Sequence, residues 1–121
     1  MEVRTIAAEK NFEERVKAWL RSNGIYPFGY PREKMNVRPC GYYEKRWGGG
    51  RYTKDGLPDM HIVVNGISVE VELKAKNGKP SPLQLRNIEF IKEAGCHAYV
   101  IYPEDFDALK RLILRLKANA V

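Results

Sequence analysis

The sequence predicts a single α/β domain spanning residues 1–121, and three observations carry that prediction. Helical and strand-like periodicities alternate in the order helix, irregular arm, hairpin, helix, strand, helix. An Asn65-Gly66 pair separates two short runs of alternating polarity, the strongest hairpin signal a sequence offers. With 121 residues, 44% of them hydrophobic and 30% charged, the chain suits one core. At this length about two-thirds of the unfolded surface is buried without help from a disulfide or structural metal. A multidomain enzyme is not expected at this length, and no apolar run approaches the roughly 20 residues that span a bilayer. The start, Met1-Glu2-Val3-Arg4-Thr5, has no leader pattern, so a cytoplasmic location is expected. Cys40 and Cys96 show neither CxxC spacing nor a nearby His pair and are expected to be reduced thiols.

The elements follow in order. Asn11 to Ser22 carries Phe12, Val16, Trp19 and Leu20 at helical spacing before the stop signal Asn23-Gly24, and the helix could start as early as Thr5. Residues 25–56 break every periodic pattern and read as an irregular arm. His61 to Val64 and Ile67 to Glu70 flank the Asn65-Gly66 turn, the second strand running on to Lys74 or Ala75. Ser81 caps a helix with Pro82 at its first position and Gly95 after its end. Leu85, Ile88 and Ile91, with Phe90 alongside, are its expected core face. His97 to Tyr102 reads as a buried strand, and Pro103-Glu104 opens a last helix with Phe106, Leu109, Leu112, Ile113 and Leu116 inward.

The hairpin forces two carboxylates together. If Asn65 and Gly66 form the turn, Val64 lies opposite Ile67, and pairing carried back along both strands sets Asp59 opposite Glu72. Directly opposed residues have Cβ atoms about 4.5–5.5 Å apart, close enough to hold one cation. Met60, Ile62, Val64, Val69, Val71 and Leu73 share the core face, whereas Asp59, His61, Glu70, Glu72 and Lys74 share the other. Hard oxygen donors suit Mg²⁺ or Mn²⁺. Lys74 emerges beside them, positioned to orient or acidify a water or to stabilise charge on a phosphate. A solvated strand face with an incidental Glu and Lys is the competing reading. His61 beside Glu70 reads as a partner for that carboxylate rather than as a ligand.

These residues resemble the PD-(D/E)xK nuclease superfamily and, more narrowly, the virus-type replication-repair nuclease (VRR-Nuc) domains. The matching stretches are Gly56-Leu57-Pro58-Asp59, Val71-Glu72-Leu73-Lys74 and Lys79-Pro80-Ser81-Pro82-Leu83-Gln84. The resemblance implies a restriction-endonuclease-like αβββαβ core, here with an added C-terminal helix, and hence a third meander strand somewhere between Pro27 and Tyr52. It implies Asp59 and Glu72 as metal ligands, Lys74 as catalytic lysine, the Leu73 backbone carbonyl as a further ligand, and Gln84 at the head of the next helix as part of the site. Gln84 equally completes a Ser-x-x-Gln capping box with Ser81. A glutamate from the first helix is also implied as catalytic residue and metal ligand: Glu9 fits best and Glu13 is the reserve, while acids near a helix N-terminus have a dipole role in any case.

The arm 25–56 holds seven Lys or Arg against three acids, +4 of the net +6, and seven of the thirteen aromatics. Arg38, Lys45, Arg46, Arg51 and Lys54 interleave with Tyr42, Tyr43, Trp47 and Tyr52, a mix that suits phosphates and unpaired bases. Trp47 to Lys54 are expected to serve nucleic acid; Tyr26, Phe28 and Tyr30 are expected to cover the core. Gly48-Gly49-Gly50-Arg51 lacks the GxxxxGK[ST] pattern, so no nucleotide cofactor is expected. The leading expectation is therefore a Mg²⁺- or Mn²⁺-dependent DNA endonuclease. The resemblance adds branched or Holliday-junction DNA, a homodimer, and the cytoplasm of a bacterial, archaeal or phage-infected cell. A noncatalytic DNA- or RNA-binding module on the same fold and a restriction-type endonuclease are the alternatives, the latter with little room for recognition elements.

Overall fold

The computed structural model describes residues 2–46 and 56–119. Its first helix, α1 (Glu2–Ser22), starts earlier than the apolar stripe indicates. Residues 2–10 bring Glu, Ala and Lys, good helix formers that need no core contact. At the other end Asn23 N and Gly24 N donate to Leu20 O and Arg21 O, and Gly24 adopts φ +81°.

The arm is less irregular than its sequence. It contains β1 (Ile25–Pro27), a 3-10 turn (Arg32–Lys34) and β2 (Gly41–Lys45). β2 is the strand expected between Pro27 and Tyr52; β1 has no counterpart in the sequence reading, because three residues are too few to show a period. Tyr26 packs as expected, stacked on Tyr30 at 5.1 Å, with its hydroxyl and Val37's backbone exchanging hydrogen bonds. Phe28 departs from expectation: it is exposed and touches only the edge of Tyr42 among the described rings.

β3 (Met60–Val64) and β4 (Ile67–Leu73) form the predicted hairpin, with Val64 opposite Ile67 and Met60 opposite Val71. Asn65 and Gly66 have φ 50° and 84°, the two positive values that a type I′ turn requires. The sheet order is β1-β2-β3-β4-β5 (β5, His97–Ile101). β1 runs parallel to β2, β2 to β4 form an antiparallel meander, and β5 runs parallel to β4. β4 ends at Leu73, one or two residues sooner than expected.

The predicted core face is the observed one. Met60, Ile62, Val64, Val69, Val71 and Leu73 are buried with Phe12, Val16 and Leu20 of α1 and with α3 (Phe106–Ala118). All five expected residues of α3 are buried, and Phe106 meets Phe12 edge to face at 5.7 Å. The parallel crossover from β4 to β5 is made by α2 (Pro82–Glu93), whose orientation differs from the predicted one. Ile88 is buried, but Leu85 and Phe90 are exposed. The inward row is Gln84, Asn87, Ile88 and Ile91. Two polar contacts set that row: Gln84 caps the helix, and Asn87 Nδ2 donates to Gly56 O at 3.0 Å. Among the described residues no helix is long and apolar enough to cross a membrane.

Candidate active site

Asp59 stands one residue before β3, and its side chain closes the hairpin. Its Oδ2 accepts the Leu73 N–H at 3.0 Å, and its backbone carbonyl accepts the Arg46 N–H at 2.6 Å. The residue is thus held on both sides, its carboxylate by Leu73 and its backbone by Arg46, next to the end of β4. Ahead of it Gly56 adopts φ +76°, where a Cβ would stand 2.6 Å from Leu83 Cγ and 2.9 Å from Asn87 Nδ2. Only glycine lets the chain pass under α2 here and deliver Pro58 and Asp59.

Glu72, next along from the last pair of the β3–β4 ladder, is 1% exposed. Its Oε2 meets Lys74 Nζ at 3.2 Å, and its Oε1 is buried with no hydrogen-bond partner among the described residues. Burial first, and then the Asp59 charge, push the Glu72 carboxyl up to about 7 against the pull of Lys74. Lys74 is raised instead: burial disfavours its charge, but the Glu72, Glu9 and Asp59 carboxylates outweigh burial and hold the ammonium protonated. Glu9 is therefore close enough to act on Lys74, and it is half-buried between exposed Ala8 and Lys10.

Lys45 and Arg46 are adjacent in sequence and point to opposite sides of the sheet, as the strand period requires. Lys45 faces α1. Its Nζ lies 2.5 Å from Glu13 Oε1 and 4.0 Å from Asp59 Oδ1, and Lys17 meets the other Glu13 oxygen at 3.0 Å. Burial opposes the Glu13 charge, but hydrogen bonds to Lys45 and Lys17 hold its carboxyl below the usual range. Arg46 faces the other way, donates to Pro58 O at 3.1 Å and pairs with buried Glu70. Glu70 also pairs with His61 and accepts from Ser68 Oγ at 3.3 Å. His61 is accordingly a carboxylate partner.

The two candidate glutamates of α1 thus divide. Glu9 acts on Lys74, whereas Glu13 is tied to Lys45, which itself borders Asp59. Gln84 completes the capping box: its Oε1 accepts the Ser81 N–H at 2.8 Å, and its own N–H donates to Ser81 Oγ at 3.1 Å. Arg38 is exposed on the loop before β2. Trp47, Arg51, Tyr52 and Lys54 lie outside the described residues. The Glu13–Lys45–Asp59 series and the contact of Asn87 with Gly56 have no counterpart in the sequence reading. Period-two alternation sends Lys45 to the α1 side only once β2 is located.

Among the described residues no three His, Cys, Asp or Glu side chains gather as a metal cluster. Mg²⁺, however, is commonly held by one or two carboxylates together with water and substrate phosphate. Asp59 and Glu72 fit that requirement, because the buried Glu72 Oε1 is an oxygen still lacking a positive partner. The Leu73 N–H bonded to Asp59 Oδ2 brings the backbone of that residue beside the carboxylate. Compared with protein-family models, curated proteins and solved structures, the chain matches none.

Proposed function

We propose that the protein is a divalent-metal-dependent deoxyribonuclease, an endonuclease hydrolysing phosphodiester bonds at the Asp59, Glu72 and Lys74 cluster. The observation that carries this reading is the buried Glu72 carboxylate opposite Asp59: its Oε2 meets the Lys74 ammonium at 3.2 Å, while its Oε1 has no hydrogen-bond partner among the described residues. A structural ion pair has no need of a second carboxylate that repels the first. Support also comes from the element order: apart from the short β1 and the 3-10 turn after it, α1 is followed by a three-stranded meander, a crossover helix and a parallel strand, compatible with the PD-(D/E)xK order. The resemblance to VRR-Nuc domains supplies the substrate, branched or junction DNA, and a homodimeric state in which two sites meet two strands.

Asp59, Glu72 and the Leu73 carbonyl would hold Mg²⁺ or Mn²⁺. A bound ion of this kind supplies Lewis acidity toward the phosphate and the attacking water. The neighbouring carboxylates favour the Lys74 ammonium, which would donate a hydrogen bond to water or to the phosphoryl oxygens and stabilise charge there. Glu9 restrains that ammonium, and Gln84, by fixing the first turn of α2, holds the wall opposite Gly56. Hydrolysis adds one water across one P–O bond, leaving a phosphate monoester and a hydroxyl.

The test is a cleavage panel of duplex, single-strand, flap, fork and four-way-junction DNA with Mg²⁺ and Mn²⁺. Wild-type protein should cut at least the branched substrates, and Asp59→Asn and Glu72→Gln should not while still melting cooperatively. A folded wild-type protein that cuts none of them refutes the reading.

A further inference from the structure

Two of the cations expected to hold nucleic acid are already engaged: Lys45 by Glu13 and Arg46 by Glu70. Two other lysines close to the site lie on the turn between β4 and α2. Because β4 and β5 are parallel and Leu73 pairs with Ile101, the segments that follow the two strands leave side by side. Lys76, Asn77, Gly78 and Lys79 form one wall of a cleft of about 570 Å³, and Tyr102 and Glu104 contribute to the other. The walls are pinned together: Tyr102 Oη donates to Gly78 O at 2.7 Å, and Gly78 N donates to Ala75 O at 2.9 Å. The cleft adjoins the site directly, since a Cβ on Gly78 would stand 3.6 Å from Lys74 Cβ. Lys76 and Lys79 are both exposed, and neither ammonium has an ion pair among the described residues. Glu104 is the acid of this lining, so two positive charges face one negative charge.

We infer that this cleft binds a backbone phosphate of the DNA strand next to the phosphate held at Lys74, with Lys76 and Lys79 as its contacts. The inference rests on the proposed nuclease reading for its ligand. An ammonium on a flexible stem suits phosphate as a point charge, without sequence selectivity. A rigid turn held by Tyr102 keeps both stems at a set distance from Lys74, so a strand entering the cleft is aligned with the site. Glu104, at the rim, opposes over-tight retention and should weaken binding where it stands.

The experiment measures affinity for a labelled four-way junction and a short duplex in EDTA, so that nothing is cut, across a series of KCl concentrations. Removing one lysine that neutralises a phosphate should lower the slope of log K against log salt by about 1. Lys76→Ala/Lys79→Ala should therefore bind both DNAs more weakly with a slope lower by about 2, and Glu104→Gln should bind more tightly. Arg111→Ala, exposed on α3, is the control and should leave the slope unchanged. Saturating the cleft with inorganic phosphate without any loss of DNA affinity would assign it to a free anion and overturn the proposal. So would an unchanged slope in the double variant, an equal loss in Arg111→Ala, or no DNA binding by wild type. Cleavage is scored separately in Mg²⁺. Binding with the expected slopes but no cleavage refutes the nuclease reading and leaves the cleft; cleavage with unchanged slopes does the reverse.

Discussion

Burial and the Asp59 charge hold the Glu72 carboxyl at about 7 in the metal-free protein, against 4.5 for an ordinary glutamate. The folded state thus binds this proton more tightly than the unfolded chain. Its contribution to stability is complete below pH 4.5 and is lost as pH rises to about 7, a change of about 3 kcal/mol. Glu13, held low, works in the opposite sense: its contribution exists above pH 4.5 and fades in acid. Comparing wild type with Glu72→Gln isolates the first effect. In denaturant titrations with EDTA, the glutamine variant should gain relative stability between pH 4.5 and about 7 and be the more stable protein at about pH 8. A pH-independent difference would contradict this. Metal must displace the same proton, so Mg²⁺ should raise the wild-type melting temperature more at about pH 8 than at about pH 5.5, and should not raise that of Asp59→Asn. Lys45 stands 4.0 Å from Asp59 and repels any cation there. Lys45→Met should therefore tighten Mg²⁺ binding several-fold in calorimetry while costing about 1 kcal/mol of stability through the loss of one of the two lysine partners of Glu13.

The elements place these residues through a few local devices. The hairpin is legible because Asn65-Gly66 is a turn with a mechanism: positive φ at both positions fixes the register, and the register alone sets Asp59 against Glu72. β2 is not legible, since of its five residues Gly41 to Lys45 only Tyr43 is buried and glycine and charge hide the period. The orientation of α2 is hidden for a related reason. Its apolar residues Leu85 and Phe90 suggest an inward face, whereas the chain turns Gln84 and Asn87 inward to cap the helix and to hold Gly56. Both devices are testable. Ser81→Ala removes the acceptor of the Gln84 N–H and should cost about 1 kcal/mol by chemical denaturation. Gly56→Ala strains a positive φ against the Leu83 side chain, and by shifting Pro58 and Asp59 it should lower cleavage at least about tenfold while the protein stays folded.

Across the whole domain, one core binds α1 and α3 to the same face of the sheet, and the site lies at the end of β4. Phe12, 2% exposed and packed on Phe106, joins the two helices; Phe12→Ala should cost about 3–5 kcal/mol, whereas Phe90→Ala, on the exposed side of α2, should cost about 0.5 kcal/mol or less. Charge is distributed differently from what the sequence alone suggests. The arm carries most of the excess, but Lys45 and Arg46 are engaged in ion pairs within the domain, and Lys76 and Lys79 stand beside the carboxylates. The site's three central residues are readable in sequence because one hairpin and one Glu-x-Lys step contain them; the supporting contacts of Glu13, Glu70 and Asn87 are not, because they join segments far apart in sequence. The proposed function depends on Asp59, Glu72 and Lys74 forming a metal-dependent hydrolytic site. The decisive comparison is cleavage of a labelled four-way junction in Mg²⁺ by wild type and Lys74→Ala, with both shown to fold and to bind the junction in EDTA. Wild type should cut and Lys74→Ala should be slower by about a hundredfold or more; equal rates in the two proteins, or no cutting by wild type, would contradict it.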